Sequence, residues 1–288
     1  MPIIPLCDIP AQSMDKTRQV NEAELKTTSF VWIEPADNSL IKGVAKDEKV
    51  GKIKIPGYVW SKGSPLKHGG HVSGLVGLWI HGGGYITGDG SEYLENVASQ
   101  RIPKNTYNQS AVDYRLVHGS CHPAQLLDAI SAYSYLVNVC NIDPSKIIVF
   151  GACAGGHLVI LLARYTYEEK VLPMPAALMP WLDMVTDYER EVEHKTVIRP
   201  NEDIDLLSTA AIANLRFLGH HPTSLLWSSY LTSRLQKNLI LAIPNFSFRC
   251  TEGCCNDFFG MALSSEVART QVLEKAWLDE HAATAENM

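Results

Sequence analysis

The sequence has no long hydrophobic run and no excess of positive charge. Its apolar stretches, such as residues 158–163, are much shorter than the roughly 18 residues that a membrane span requires. Lysine and arginine total 25 against 31 acidic residues, which gives a net charge of −6. A nucleic-acid partner is therefore not expected. The first six residues lack a basic region followed by a long apolar one, so we expect no secretory signal peptide.

Ordered cysteine spacing is also absent. The seven cysteines are odd in number and irregularly placed, and Cys250, Cys254 and Cys255 do not form a Cys-x-x-Cys pair. The pattern favours neither a disulfide framework nor a zinc site, and we expect a reducing, cytoplasmic location. Hydrophobic residues make up 46% of the 288 and charged residues 19%, which is typical of a globular chain.

Short apolar segments alternate with helical ones along the chain. Strands are predicted at residues 52–60, 74–80, 111–114, 146–150, 175–182 and 238–243, and helices at 128–139 and 156–165. This alternation predicts an α/β fold with a mostly parallel sheet flanked by helices. We predict one domain over residues 1–288. Residues 1–45 and 183–225 fit the alternation poorly. The second segment is predicted to be an insertion, which commonly covers the binding cleft of an α/β fold.

A sharp turn is predicted where the strand at 146–150 meets the following helix. The residues are Gly151-Ala152-Cys153-Ala154-Gly155, which match the Gly-x-Ser-x-Gly nucleophile elbow with cysteine at the serine position. Glycine allows the close approach that such a turn needs, and the helix N-terminus behind Cys153 stabilises a thiolate. Cys153 is therefore a candidate nucleophile. The alternative is a small buried apolar residue in an inactive elbow.

A glycine run follows the predicted strand at 74–80. It is His81-Gly82-Gly83-Gly84, and it lets backbone N–H groups point into a cavity, as an oxyanion hole requires. The predicted oxyanion donors are the N–H groups of Gly83, Gly84 and Ala154. Four aromatic residues are predicted either to line an apolar substrate pocket or to belong to the core: Tyr85, Trp181, Phe217 and Trp227.

Further motifs accompany these two in a fixed order over roughly residues 50–185. They are Val112-Asp113-Tyr114-Arg115-Leu116, Pro123-Ala124 with Asp128-Ala129, and Pro180-Trp181-Leu182-Asp183. Together the motifs resemble the hormone-sensitive-lipase-like branch of the α/β-hydrolases. The resemblance implies an α/β-hydrolase fold and esterase or lipase activity through a Ser-His-Asp triad. It also implies a cap built partly from the N-terminus, so that residues 1–45 and 183–225 are expected to be cap elements. It also implies a structural charge pair between Asp113 and Arg115.

The chain departs from this branch at the elbow. The branch usually has Gly-Asp-Ser-Ala-Gly-Gly, whereas here Ala152 stands at the aspartate and Cys153 at the serine. Dienelactone hydrolases, which share the fold, use a cysteine nucleophile. A thiolate attacks acyl carbonyls well, so the substitution is compatible with catalysis.

The remaining triad members are sought after the predicted strand at 238–243, in the order acid then base. Asp257 is the candidate acid and His281 the candidate base, with Asp279 and Glu252 as alternative acids. His281 is alternatively a solvated residue on a frayed tail. His157, one turn into the elbow helix, is predicted to be a packing residue rather than a base.

Three functions remain open at this point. The leading hypothesis is hydrolysis of a small apolar ester or thioester, with no metal or cofactor. The second is non-hydrolytic cyclase, lyase or condensation chemistry in the same pocket, as in plant cyclases that resemble this branch. The third is ligand capture without catalysis, as in the gibberellin receptors, which lack the catalytic histidine. The sequence is compatible with a homodimer and leaves the substrate unidentified.

Overall fold

The computed structural model describes residues 21–60, 65–67, 72, 74–92, 108–181 and 217–222. Its six strands are β1 (Thr28–Ile33), β2 (Ile55–Trp60), β3 (Val76–Ile80), β4 (Asn108–Val112), β5 (Ile147–Ala152) and β6 (Ala177–Trp181). Its two α-helices are α1 (Ala124–Ser134) and α2 (Ala154–Glu169). A π-helical turn at Tyr135–Val139 extends α1. None of the helices in these parts of the chain is long and apolar enough to span a membrane.

The strands form one six-stranded sheet in the order β1-β2-β4-β3-β5-β6. Strands β4, β3, β5 and β6 run parallel, while β1 and β2 pair antiparallel at one edge. The mostly parallel sheet predicted from the sequence is thereby confirmed. The carboxyl ends of β3 and β5 lie side by side, because Ile80 pairs with Gly151. This register brings together the two loops that carry the predicted chemistry.

Each face of the sheet packs into its own apolar cluster. Alternate residues such as Leu78 and Val149 join one cluster with the apolar residues of both α1 and α2. Trp79 and Phe150, one position along, join a second cluster on the opposite face, and their ring centroids are 5.2 Å apart. Strands β3 and β5 are buried along their whole length, which explains their continuously apolar sequence.

Strand β1 lies where the sequence predicted cap residues, and that prediction is wrong for residues 28–33. The strand pairs with β2 along its full length, from Thr28 opposite Trp60 to Ile33 opposite Ile55. Its burial is uneven, because it is an edge strand, and it begins with the polar pair Thr28-Ser29. An edge strand of mixed polarity gives a weaker pattern than a strand buried on both faces. The β-branched and aromatic residues that follow were the available signal.

Arg115 pairs with Asp128 and not with Asp113, which corrects the charge pair predicted from the resemblance. The guanidinium Nη2 lies 2.8 Å from Asp128 Oδ1, and the Arg115 backbone N–H donates to Oδ2 at 2.8 Å. Both side chains are largely buried. The chain leaves β4 after Val112, so Asp113 and Arg115 do not share a strand face, and the guanidinium reaches α1 instead.

We expect Asp128→Ala to lower the free energy of unfolding by about 3–5 kcal/mol. Removal of one member of a buried ion pair leaves the other charge buried and uncompensated. Urea unfolding of the variant and the wild type measures the difference. Glu168→Ala, which removes an i,i+4 partner of Arg164 on the more exposed side of α2, serves as the control and should change stability by less than about 1 kcal/mol. An equally small change in both variants would contradict the prediction.

Candidate active site

Cys153 forms the junction between β5 and α2. The strand ends at Ala152 and the helix begins at Ala154. The backbone of Cys153 has φ 52° and ψ −121°, which is a strained conformation for a residue with a Cβ. Such strain costs about 1–3 kcal/mol and clusters at active sites. The Cys153 carbonyl accepts the N–H of His157 at 3.0 Å, which ties the turn to the helix.

Two glycines allow this turn to press against the end of β3. A Cβ on Gly151 would lie 2.6 Å from the carbonyl oxygen of Ile80, and a Cβ on Gly155 would lie 2.1 Å from the same atom. Real Cβ atoms do not approach a backbone oxygen so closely. Only glycine fits at either position, so the elbow sits directly on the carboxyl end of β3.

The glycine run after β3 lies against the elbow. Gly83 and Gly84 have φ values of +106° and +61°, and Tyr85 follows with φ 61°, so three consecutive residues are left-handed. A Cβ on Gly82 would lie 3.3 Å from the Cβ of Cys153. The structure therefore brings together the two motifs that the sequence separates by about 70 residues, and it leaves Gly83 and Gly84 partly exposed.

A buried tyrosine links this loop to the elbow helix. Tyr85 Oη and His157 Nδ1 are 2.6 Å apart and share a hydrogen bond. Burial raises the pKa of Tyr85 well above its usual value, and repulsion from the ionised forms of Tyr114 and Cys153 would raise it further. Burial, followed by the charge of Cys153, has the same effect on the pKa of Tyr114. Both phenols therefore stay protonated close to the Cys153 thiol.

His81 is held in place at the start of the loop by groups from β4 and its C-terminal extension. Its ring stacks on Tyr114 with 4.1 Å between centroids, and Tyr114 Oη donates to the His81 carbonyl at 2.9 Å. Asp113 Oδ1 lies 3.7 Å from His81 Nε2. Tyr114 was not predicted as a site residue. Its position directly after the end of a parallel strand, next to an aspartate, was the signal available in the sequence.

His157 is buried, which fits the packing role predicted for it. Burial lowers its pKa from 6.5 to about 4, because the charged imidazolium is poorly solvated in the folded protein. The unfolded chain binds a proton near pH 6.5 and the folded one only near pH 4. The stability contributed by neutral His157 is therefore complete above pH 6.5 and is lost as the pH falls toward 4.

We expect His157→Gln to reduce the acid destabilisation of the protein. The loss of unfolding free energy between pH 6.5 and pH 4 should be smaller by about 3 kcal/mol, from about 1.4 kcal/mol per pKa unit. Urea unfolding at both pH values measures this difference. The slope of unfolding free energy against pH is compared between variants, so any effect of the substitution that is the same at both pH values cancels. His118→Ala, at an exposed histidine, is the control and should leave the slope unchanged. Identical slopes in wild type and His157→Gln would contradict the prediction.

Phe217, from the segment predicted to be a cap, covers Tyr85. The two rings stack with 4.5 Å between centroids and an interplanar angle of 29°. The Phe217 carbonyl accepts the backbone N–H of His122 at 2.7 Å. Residues 217–222 are thus held against the loop that precedes α1, with Phe217 packed on the tyrosine that follows the glycine run.

The other predicted site residues are described only in part or not at all. His281 and Asp257 lie outside the described residues, as do the alternative acids Asp279 and Glu252. Trp181 is the last residue of β6, but its side chain is not among those that the structure describes. The predicted nucleophile and glycine loop are therefore juxtaposed, while the base and the acid stay predictions.

The fold and the elbow define the class of this protein, the α/β-hydrolases. The chain is similar to an esterase/lipase from an uncultured bacterium, at 17% identity and a TM-score of 0.64, over 98% of this chain and 93% of that one. It is also similar to a hormone-sensitive lipase from a metagenome library, at 22% identity and a TM-score of 0.50, over 81% and 67% of the two chains. These likenesses show the fold.

Within that class, the chain belongs to the family described as BD-FAE, which matches residues 67–226, more than half of its length. A further relative is Lipase 2 of Moraxella sp. (strain TA144), which is 30% identical over 146 residues. That alignment covers 40% of this chain and 33% of the lipase. The chain therefore spans about a third of the length of that lipase.

Proposed function

We propose that the protein is a carboxylic ester hydrolase that acts on small, apolar acyl esters or thioesters through Cys153. The observation that carries this proposal is the left-handed, strained backbone of Cys153 at the strand-to-helix junction, directly against a glycine loop. Strained backbone of this kind clusters at active sites, and at a strand-to-helix turn it supports the proposal that Cys153 is presented as a nucleophile at the end of the sheet.

In the proposed reaction, the Cys153 thiolate attacks the acyl carbonyl carbon. The carbonyl π electrons move to oxygen, and the N–H groups of Gly83, Gly84 and Ala154 stabilise the oxyanion. Collapse of this intermediate breaks the bond to the leaving group, which departs as the alcohol or thiol after it takes the proton that the base removed from Cys153, and leaves an acyl thioester on Cys153. Water then attacks the thioester, and the carboxylic acid and the thiol are released.

The proton carriers in this proposal are His281 as base and Asp257 as the residue that orients it. Their order in the chain, after the nucleophile, is that of the triad in this fold. The described histidine nearest in sequence, His157, is a poor substitute because its low pKa makes it a weak proton acceptor and its Nδ1 is already bonded to Tyr85. The base is therefore sought in the C-terminal part of the chain.

A small apolar acyl group is favoured by what surrounds Cys153. Tyr85 and Phe217 stack against each other on this side of the site, and the proposed cap at 183–225 includes Phe217. Both rings are buried, and we propose that they form one apolar wall of the acyl pocket and limit its length. Trp181, at the end of the neighbouring strand, is proposed as a second wall of the pocket.

We further propose that the enzyme is cytoplasmic and that the ester hydrolysis itself needs no cofactor.

A panel of p-nitrophenyl esters and acyl thioesters, from acetyl to octanoyl, tests the proposed activity. We expect turnover with kcat/KM highest for the short chains, because the walls formed by Tyr85 and Phe217 restrict the acyl pocket. Phe217→Ala should shift the optimum toward longer chains, while Tyr167→Ala, at an exposed aromatic residue on α2, should leave the chain-length profile unchanged. No turnover across the whole panel would rule out the proposal.

A further inference from the structure

A second cluster of chemically capable side chains lies between two distant parts of the chain. His220 Nε2 is 2.8 Å and His221 Nε2 is 3.1 Å from the same oxygen, Oδ2 of Asp47. Each of the three residues offers one possible ligand atom, and these three atoms all lie within 4.8 Å of one another. In the sequence, His220-His221 is a histidine pair within the predicted cap, for which surface histidines are the default interpretation, and Asp47 is more than 170 positions away.

The donors are of the kind that transition metals prefer. Zinc is bound by imidazole nitrogen and carboxylate oxygen, and sites with three protein ligands keep a fourth position for water. Asp47 Oδ1 already accepts the N–H of Lys49 at 2.7 Å, which fixes the carboxylate. The side chains of His220 and His221 are 31% and 24% exposed, so an ion can enter from solvent.

The surroundings also supply the outer contact that a metal-binding histidine needs. His220 Nδ1 lies 3.5 Å from Cys121 Sγ. When His220 Nε2 binds a metal, the proton resides on Nδ1, and the thiol sulfur can accept it. The carbonyl oxygen of His122 lies 3.0 Å from His221 Nε2 and is a further possible oxygen ligand for a metal beside the cluster.

We propose that Asp47, His220 and His221 form a binding site for a divalent transition-metal ion of the zinc class. The bound ion replaces the protons that the two imidazoles now share with the Asp47 carboxylate, and it joins residues 217–222 to the loop between β1 and β2 that carries Asp47. Because the same segment carries Phe217 onto Tyr85, the ion fixes the apolar wall of the site. The binding proposal itself does not depend on the proposed ester hydrolysis.

Zinc titration of the full-length, chelator-treated protein against a chromophoric zinc indicator tests the site. The wild type should bind one zinc ion that Asp47→Asn, His220→Ala and His221→Ala each weaken by tenfold or more. His118→Ala, at an exposed histidine outside the cluster, should bind as the wild type does. Equal zinc affinity in the wild type and in His220→Ala/His221→Ala would overturn the proposal, because the zinc would then be held elsewhere, for example by Cys250, Cys254 and Cys255.

Thermal unfolding gives a readout that is independent of the indicator. Zinc should raise the Tm of the wild type and of His118→Ala, and should not raise that of Asp47→Asn. Asp47 lies on the opposite segment from the histidines, so this variant keeps the test valid if the double histidine variant does not fold. An equal rise in Tm for Asp47→Asn and the wild type would also overturn the proposal.

Discussion

Replacement of Cys153 by alanine is expected to lower kcat/KM for p-nitrophenyl acetate by at least about a thousandfold. The thiolate forms the acyl-enzyme bond, so its removal leaves only binding and oxyanion stabilisation. The fold should survive, because the Cys153 side chain is small. Alanine carries a Cβ as cysteine does, so the backbone strain at φ 52° should be about the same. The measurement is steady-state hydrolysis by purified, folded protein.

Two control variants sharpen this result. Cys140→Ala makes the same chemical change at a buried cysteine that bonds to the Leu66 carbonyl rather than to the elbow, and should retain activity. Cys153→Ser should retain more activity than Cys153→Ala, because a hydroxyl can take the same role once a base activates it. Equal activity of Cys153→Ala and the wild type would show that hydrolysis does not proceed through this thiol.

Replacement of Gly155 by alanine is expected to be the most destabilising single-methyl change in the site. The new Cβ would lie 2.1 Å from the carbonyl oxygen of Ile80 and 2.5 Å from that of His81. Both are backbone atoms at the end of β3, so neither can move without displacing the sheet or the glycine loop. We expect a loss of at least about 4 kcal/mol of unfolding free energy, or failure to fold.

The matched control for this substitution is Gly51→Ala. A Cβ at Gly51 has no atom within 4 Å, so the change should alter stability by no more than about 0.5 kcal/mol. Urea unfolding, or the soluble yield if Gly155→Ala does not fold, measures the difference between the two variants. A Gly155→Ala protein as stable as Gly51→Ala would mean that the elbow does not press on β3 as described.

The parts of the fold that the sequence predicted are those with strong local patterns. Strands β3 and β5 are continuously apolar because both faces are covered, and α2 has apolar residues at helical spacing. The edge strand β1 was missed because one side of it is only half buried and its pattern is weaker. The partner of Arg115 was missed because the resemblance suggested a neighbour in the same motif, whereas the guanidinium reaches Asp128 on α1, a contact that depends on how the helix packs.

The same distinction holds for the site. The elbow and the glycine loop are local motifs whose backbone requirements are visible as glycine at fixed positions. Contacts between distant segments leave no such trace. Nothing in the sequence indicates that Phe217 stacks on Tyr85, or that Asp47 meets His220 and His221, because these pairs depend on how the whole chain folds.

The pH dependence of iodoacetamide labelling at Cys153 tests the central claim most directly. Peptide mass spectrometry reports each cysteine separately, so partly exposed Cys121 and buried Cys140, whose pKa is raised by burial, serve as internal references. If Cys153 is the nucleophile, it should label fastest near pH 6, because a thiolate at a helix N-terminus forms below the usual pKa of about 8.5. Labelling of Cys153 that is no faster at pH 6 than that of Cys121 would contradict the account.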